Sequence, residues 1–329
     1  MTEPAFRSRW RSKAGQRLTT AVLERLLSGR PLDDLPLDEH EGRLDLRGFA
    51  IPAPVRSSRA QVGRYLVEDL DDLIEISHDL ERIDFSGAVL DHLRFFEARI
   101  EDCVLDRASC RDWRPWTTDV VATSLRGTDL RSSALGGWHE ERGNVYVGCD
   151  FSEADLRDAE CGSAEFIDGV FDRTRLDKLD FGSSSFVRCR FAGELREVIF
   201  HDHGFETGKP TPNEMRDVDF TDAELRWVEF RGLDLSQVKL PRSPNHIIVD
   251  HYPCVLRRAL EELASAATPV ALGLLGYIEA EAEWTPETRR FGVFNRRDWA
   301  EGETEEAADF VESLLRRLEA DCAAAAEGG

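Results

Sequence analysis

The chain has 329 residues, a formal net charge of −22 and seven cysteines. This length predicts two or three structural units, and the acidic balance argues against direct binding of nucleic acid. No apolar run approaches the roughly 18 residues needed to span a membrane, and the basic N-terminus lacks the hydrophobic stretch of a secretory signal, so we expect a cytoplasmic protein.

Residues 1–43 are predicted to form a helical arm. Leu18, Val22 and Leu26 have helical spacing, and Gly29 and Pro31 supply a helix stop, so one helix is expected over residues 5–29. The first thirty residues contain seven Arg or Lys against two Glu. This basic arm either folds onto its own acidic chain or contacts DNA beside a partner.

Residues 44–80 are less regular. A weak trace of a five-residue repeat is present at Leu46 and Ile51. Residues 65–74 have apolar side chains at helical spacing and predict a helical insertion, although residues 74–76 are also compatible with the start of a strand.

Residues 81–240 carry apolar side chains at every fifth position, with small residues such as Ala88 and Ala98 two positions before many of them. A 3.6-residue period would drift off this pattern within two turns, and a period of two would place every second member in water. The repeat therefore predicts a solenoid rather than helices or ordinary strands. The predicted core consists of Phe85, Leu90, Phe95, Ile100, Leu105, Phe151, Leu156, Phe166, Phe171, Leu176, Phe181, Phe186, Phe191, Phe220, Leu225, Phe230, Leu235 and Leu240.

This pattern resembles the repeat of the pentapeptide-repeat family, A-(D/N)-L-x-x, with matches ADLRD at 154–158 and AELRW at 223–227. The resemblance implies that each repeat forms one side of a right-handed quadrilateral β-helix and that four repeats close a coil of twenty residues. The expected fold class is an all-β solenoid with an N-terminal helix and a C-terminal α-helical region.

The repeat slips twice, and each slip predicts a loop. Leu135 and Phe151 are sixteen residues apart, one more than three repeats, and residues 136–144 are rich in glycine and polar side chains. Phe191 and Phe200 are nine residues apart, one fewer than two repeats, whereas Phe200 and Phe220 are again one coil apart. Residues 201–214 contain two glycines and two prolines, which would interrupt the hydrogen bonding of the coil.

The cysteines fit a reduced core. Five of them occupy inward positions, where a thiol behaves as a small hydrophobe. An odd number of cysteines without a CxxC motif argues against a disulfide framework and against a zinc site. The five inward residues are Cys103, Cys110, Cys149, Cys161 and Cys189.

Catalytic motifs are weak. His201, His203 and Glu206 are metal-ligand residue types, but a polar loop accounts for them better, and no GxSxG, phosphate loop or GxGxxG is present. A core one leucine wide leaves no internal pocket for a substrate. We expect a non-enzymatic protein without cofactor or metal.

Residues 241–329 are predicted to form a C-terminal helical region. Residues 254–266 and 304–325 have the apolar faces of helices, and Thr304 is a plausible N-cap. Because an open β-helix end exposes unpaired backbone groups, this region is expected to cap the solenoid or to form a homodimer.

Loops on a rigid scaffold commonly carry interaction residues, and these loops and one acidic cluster are the candidate binding sites. Trp138 either contacts a partner or packs back onto the coil. The candidates are Trp138, His139, Glu140, Glu141, His201, His203, Glu206, Lys209, Asp217, Asp219, Asp222 and Glu224.

Charge suggests the partner. The net charge is −2 for residues 1–80, −12 for 81–240 and −8 for 241–329. Acidic members of the resembled family act as duplex-DNA mimics that occupy the DNA-binding saddle of type II topoisomerases. The resemblance therefore implies a protein that binds DNA gyrase or topoisomerase IV and modulates it or protects it from a poison.

An alternative function stays open. Residues twenty apart are expected to stack, which places Asp155 over Arg175 and Arg157 over Asp177, so the charge columns alternate in sign. A phosphate mimic would rather carry continuous acidic rows. The alternative is a structural scaffold or adaptor that displays loops for an unrelated protein partner.

Overall fold

The computed structural model describes the backbone of residues 3–62, 65–71, 73–139, 142–203, 215–302 and 304–327, and the side chains of these residues except 3–5 and 55–71. The chain divides into two compact units, Met1–Arg175 and Leu176–Gly329. Within the described residues, no helix is both long and apolar enough to cross a membrane.

The elements of the first unit are α1 (Glu3–Arg9), α2 (Lys13–Ser28), β1 (Glu39–His40), β2 (Arg43–Asp45), β3 (Val55–Val62), β4 (Tyr65–Asp71), β5 (Glu75–Ile76), β6 (Leu80–Glu81), β7 (Ile83–Asp84), β8 (Arg94–Phe96), β9 (Arg99–Glu101), β10 (Arg114–Trp116), β11 (Asp119–Val121), β12 (Trp138–His139), β13 (Arg142–Gly143), β14 (Val145–Val147), β15 (Glu165–Ile167) and β16 (Val170–Asp172).

The elements of the second unit are β17 (Ser185–Val187), β18 (Arg190–Arg196), β19 (Ile199–His201), β20 (Met215–Arg216), β21 (Asp219–Arg226), β22 (Glu229–Arg231), β23 (His246–Val249), α3 (Tyr252–Leu263), α4 (Pro269–Trp284), β24 (Gly292–Asn295), α5 (Arg296–Gly302) and α6 (Glu305–Glu327).

The first unit is built from parallel ladders whose strands come from successive coils. Strands β15, β14, β11, β9 and β6 are neighbours in that order, and β10, β8 and β5 form a second ladder. Ile100 pairs with Val120, twenty residues on, and Tyr146 pairs with Phe166 at the same spacing. This twenty-residue register is that of a β-helix solenoid.

Corners between the short strands explain the period of five. The residue two positions after most of the central apolar residues has a positive φ, for example Glu97 (50°), Asp102 (50°) and Arg107 (55°). Such a conformation is unfavourable for residues other than glycine, but bonds between coils oppose the cost. The Glu97 amide, for instance, donates to the Trp116 carbonyl at 2.9 Å.

The interior is filled by the large residues of the repeat. All of the predicted core residues except Leu240 are buried, and Phe95, Phe151 and Phe166 are fully enclosed. Leu240 is half-buried because the chain leaves the coil at Pro241, directly after it. Pro115 occupies a core position and pairs with Phe95. The five inward cysteines are buried thiols that form no disulfide.

The N-terminal region differs from the prediction in two ways. The single helix expected over residues 5–29 is split into α1 and α2; α2 is capped by Ser12 and ends at Gly29, whose φ is 65°. The helical insertion predicted at residues 65–74 is wrong. Residues 65–71 form β4, which pairs antiparallel with β3 in a hairpin, and β5 follows at Glu75–Ile76.

The second unit has irregular coils. Phe181 stacks on Phe200, nineteen residues on, with ring centroids 5.4 Å apart. Phe200 then pairs in register with Phe230, while Phe191 stacks on Phe220 at 4.9 Å. The predicted one-coil spacing of Phe200 and Phe220 is therefore wrong, because residues 201–214 lengthen this coil to about thirty residues.

The C-terminal part of the second unit combines α3–α6 with the antiparallel pair β23–β24. Thr304 caps α6 by accepting from the Ala307 amide at 3.2 Å. Cys254 in α3 and Cys322 in α6 form a disulfide with their Cα atoms 6.1 Å apart. The prediction that cysteine pairing is absent is wrong here, since the tertiary contact of α3 and α6 joins residues 68 apart.

Candidate interaction surface

Aspartates before core residues serve the coil itself. Asp155 accepts the Arg157 amide at 3.2 Å and pairs with the guanidinium groups of Arg157 at 2.7 Å and Arg175 at 3.2 Å. Burial disfavours the charge of Asp155, but these bonds outweigh it and lower the carboxyl pKa. Much of the acidic surface is thus neutralised locally. The same Asp-x-Arg pairing occurs at Asp45, Asp112 and Asp129.

Three of the four acidic candidate residues already form ion pairs or hydrogen bonds within the protein. Asp219 lies 3.0 Å from the Lys239 ammonium, and hydrogen bonds overcome partial burial to lower its pKa to about 2. Asp222 pairs with Arg190 at 2.7 Å. Glu224 accepts from the side chains of Asn245 and Asn295 and so holds the C-terminal region. Asp217 is exposed and has no ion pair within the described chain.

The first predicted loop is a small hairpin, β12–β13, inserted into one coil. Trp138 pairs in register with Gly143 and is half-buried, and His139 pairs with Arg142 and is exposed. The insertion lengthens the spacing between paired strands to 26 residues, from Val120 to Tyr146. Glu140 and Glu141 lie outside the described residues.

Asn144 anchors this hairpin. Its amide nitrogen lies within 3.2 Å of the carbonyl oxygens of Pro115, Leu135 and Gly136, and its side-chain oxygen accepts the Thr118 amide at 2.9 Å. The side chain is buried and replaces backbone bonds that the insertion interrupts. Sequence reasoning missed this residue because its partners are distant in sequence.

We expect Asn144→Ala to destabilise the protein by about 2–4 kcal/mol, because the buried Thr118 amide and Pro115 carbonyl lose their side-chain partner. The measurement is the free energy of urea unfolding. Asn144→Asp keeps the size and the acceptor but loses the amide donors, so it should also be strongly destabilising. A loss below about 0.5 kcal/mol in both variants would contradict the anchoring role.

A groove of about 690 Å³, here named the corner groove, lies between the hairpin and the adjoining coils. Both of its arginines are engaged: Arg99 pairs with Glu101 at 2.6 Å, and Arg142 pairs with Asp119 at 2.5 Å. Its lining residues are Glu97, Ala98, Arg99, Thr117, Asp119, His139 and Arg142. The groove brings His139 together with coil residues that the sequence did not single out.

The second predicted loop lies in the other unit. The ring of His201 packs edge-on against Trp284 at 5.0 Å, and burial lowers its pKa. His203 is exposed and lies 2.7 Å from Asp202. Glu206 and Lys209 lie outside the described residues. Among the described residues, no group of three or more metal-ligating side chains is assembled.

The C-terminal region covers backbone groups of the last coil. His246 Nε2 accepts the Leu225 amide at 3.0 Å, and Asn295 donates to the Leu225 carbonyl at 2.9 Å. Arg289 donates to the Phe230 carbonyl at 2.7 Å. Side chains of the C-terminal region thus satisfy backbone groups of the coil, as a cap on the end of a β-helix would.

The basic arm contacts its own coil. Arg9 pairs with Asp45 at 2.7 Å, the Trp10 indole donates to the Arg47 carbonyl at 2.9 Å, and Arg7 donates to the Gly87 carbonyl at 3.3 Å. Two of the arm's arginines therefore hold the helix on the first coil.

An exposed aromatic pair lies beside the corner groove. The rings of Phe96 and Trp116 stack with centroids 4.8 Å apart and planes 3° apart, and each side chain is 37% exposed. The two residues are twenty positions apart and each directly follows a core position, so a sequence pattern of outward-facing aromatics at the coil spacing marks them.

Comparison with known proteins gives matches among solved structures alone. No family model and no curated protein matches the chain. The chain is similar to a trypsin-treated variant of QnrB1, a plasmid-mediated fluoroquinolone resistance protein, with 18% identity over 57% of this chain and 90% of that chain and a TM-score of 0.25.

Two cyanobacterial pentapeptide repeat proteins also match. HetL from Nostoc sp. strain PCC 7120, involved in heterocyst differentiation regulation, is 15% identical over 51% of this chain and 85% of its own, with a TM-score of 0.17. Rfr23 from Cyanothece 51142 is 12% identical over 60% of this chain and 88% of its own, with a TM-score of 0.11.

The fold follows from features of the chain itself. Apolar residues recur every five positions, a corner residue with positive φ follows most of them by two, and parallel strands pair twenty residues apart. On its repeat and its coil register, the chain is a β-helix solenoid whose five-residue repeat resembles the pentapeptide repeat.

Proposed function

We propose that this protein is a non-enzymatic binding protein that acts in the cytoplasm as an acidic mimic of duplex DNA, with a right-handed, four-sided coil. Its target would be a type II topoisomerase, DNA gyrase or topoisomerase IV, which it modulates or protects from a poison. The proposal rests on charge, because a basic DNA-binding cleft attracts an acidic surface and speeds the encounter.

The supporting observation is the surplus of acid in the coil. Even if every Lys and Arg of residues 81–240 neutralised one carboxylate, a net charge of −12 would remain. No arrangement of internal pairs removes that surplus. Side chains such as Asp217 and Glu97, which have no ion pair within the described chain, are where it is displayed.

The test is a supercoiling titration of DNA gyrase, with and without a fluoroquinolone, at two salt concentrations. We expect inhibition or drug protection at micromolar protein, competition by linear duplex DNA, and loss of the effect at high salt. No effect at any concentration, or an effect indifferent to salt, would overturn the mimic. A double variant, Asp217→Asn with Glu97→Gln, tests the role of charge. It lowers the negative charge by two and should weaken the effect on gyrase.

A scaffold or adaptor is the second candidate, and the corner groove favours it. Both arginines of the groove are paired with coil carboxylates, so its charge is balanced apart from Glu97. A partner bound there would depend on shape and aromatic contact more than on ionic strength. Binding that persists at high salt and is lost on substitution of Trp138 or His139 would identify this function.

Homodimerisation through the C-terminal region is part of the proposal. Leu272 and Phe310 are 52% and 40% exposed, on α4 and α6 respectively. Sedimentation equilibrium of the intact protein tests this proposal. A measured molecular mass equal to that of the monomer at all protein concentrations would exclude the dimer.

A further inference from the structure

The stacked pair of Phe96 and Trp116 is not needed to fill the core. The residues that precede them, Phe95 and Pro115, point inward and pair with each other in register. Phe96 and Trp116 therefore face outward from strands β8 and β10. Two large rings held flat against each other at the surface form a preorganised contact, because little side-chain freedom remains to be lost on binding.

The column of outward side chains ends at Trp116. One coil further on, the corresponding position is Gly136, where an added Cβ would lie 1.9 Å from the Gly162 carbonyl oxygen. A side chain cannot be accommodated there without moving the backbone. Because the Gly162 backbone fills the place of a side chain at position 136, the column of outward rings ends at Trp116.

The charge next to the rings is negative. Glu97 follows Phe96, is exposed, and has no ion pair among the residues whose side chains are described. Its backbone is fixed because its amide donates to the Trp116 carbonyl at 2.9 Å. The neighbouring carboxylate of Asp119 is already paired with Arg142. Among the described residues that line the corner groove, Glu97 is consequently the carboxylate that is available to a cation.

We propose that Phe96, Trp116 and Glu97 bind an arginine side chain from a basic segment of a partner protein. The guanidinium plane stacks on the exposed part of the Trp116 ring and pairs with Glu97. The inference rests on the proposed function as a protein-binding protein and adds the chemistry that its partner presents.

Arginine fits this surface better than the other planar or cationic groups. A nucleobase would bring phosphates toward a chain with a net charge of −22. Lysine carries a compact, strongly hydrated charge, whereas the guanidinium group is planar, less hydrated and stacks on aromatic faces.

The experiment uses two fluorescein-labelled twelve-residue peptides, one with four arginines spaced by glycine and serine and one with lysine at the same positions. Binding to the full-length protein is measured by anisotropy at low and high salt. We expect the arginine peptide to bind about three- to fivefold more tightly than the lysine peptide. Trp116→Ala should abolish that preference, and Glu97→Gln should weaken both peptides.

Phe310→Ala is the matched control, since Phe310 is a comparably exposed aromatic residue on α6, and it should leave the preference unchanged. Trp116→Leu keeps an apolar side chain without an aromatic face and should also lose the preference. Thermal melting of each variant verifies that the coil remains folded. Equal binding of the two peptides by the wild type, or an intact preference in Trp116→Ala and Trp116→Leu, would overturn the inference.

The two proposals fail separately. A wild type that inhibits gyrase but does not prefer arginine overturns the arginine site and leaves the proposed function in place. A wild type that prefers arginine but has no effect on gyrase supports the arginine site and overturns the topoisomerase assignment.

Discussion

Phe166→Asp should abolish the cooperative unfolding transition of the coil. Phe166 is fully buried, stacked on Tyr146 at 5.0 Å and edge-on to Phe151 at 6.1 Å and Phe171 at 5.6 Å. The substitution buries an unpaired carboxylate and removes the ring contacts. The expected cost, about 5 kcal/mol or more, is comparable to the whole stability of an ordinary domain.

The measurement is thermal unfolding followed by circular dichroism. Phe166→Leu keeps an apolar side chain and should cost only about 1–2 kcal/mol. Phe96→Asp provides the matched control, because Phe96 is an exposed phenylalanine of the same unit. It should melt close to the wild type. If Phe166→Asp also melted like the wild type, the assignment of inward positions would be wrong.

The inward positions were predictable because a solenoid core is one side chain wide. A polar side chain at the position of Phe166 or Phe181 would be buried without a partner, because the core is too narrow for it to turn elsewhere. The sequence must therefore keep an apolar residue at this position of every repeat. The corners were not predictable. Glu97, Asp102 and Arg107 have positive φ although none is glycine, because bonds between coils hold them there.

The hairpin β3–β4 shows where local periodicity misleads. Leu66, Val67 and Leu70 fit the spacing of a helix, but β3 supplies an antiparallel partner for the whole segment. Pairing with a strand earlier in the chain is a tertiary property, and it overrides a short helical pattern. The Cys254–Cys322 disulfide was missed for a similar reason, since counting cysteines does not reveal which helices meet.

The candidate surface was predicted in part. The glycines and polar residues of 136–144 indicated a loop, and His139 does line the corner groove. The stack of Phe96 and Trp116 was not predicted because the five-residue pattern concerns the inward positions. Phe96 and Trp116 each follow an inward position and face outward. A twenty-residue search of outward positions would find two aromatics on consecutive coils.

Asp298→Ala should destabilise the second unit by about 3 kcal/mol. Asp298 pairs with Arg226 at 2.5 Å, and the two side chains are 7% and 1% exposed. Burial raises the pKa of Asp298 although the Trp227 amide and Arg226 favour its charged form. Removal of the carboxylate leaves a buried guanidinium group poorly compensated and the Trp227 amide without its acceptor.

Glu301 provides a control on the same guanidinium group. It lies 3.0 Å from Arg226 but is half-exposed, so Glu301→Ala should shift the urea midpoint far less than Asp298→Ala. The double variant Arg226→Met, Asp298→Leu removes both charges and should recover much of the loss. Equal shifts for Asp298→Ala and Glu301→Ala would mean that burial of the pair does not determine its effect.

This ion pair also connects stability to the open end of the coil. The Trp227 amide belongs to the last coil, and Asp298 is the residue of the C-terminal region that satisfies it. Asp298→Ala should therefore expose a coil edge as well as lower stability, and an exposed edge favours association between molecules. We expect the variant to aggregate with increasing concentration below its melting temperature, measured by light scattering, whereas Glu301→Ala stays dispersed because its cap remains closed.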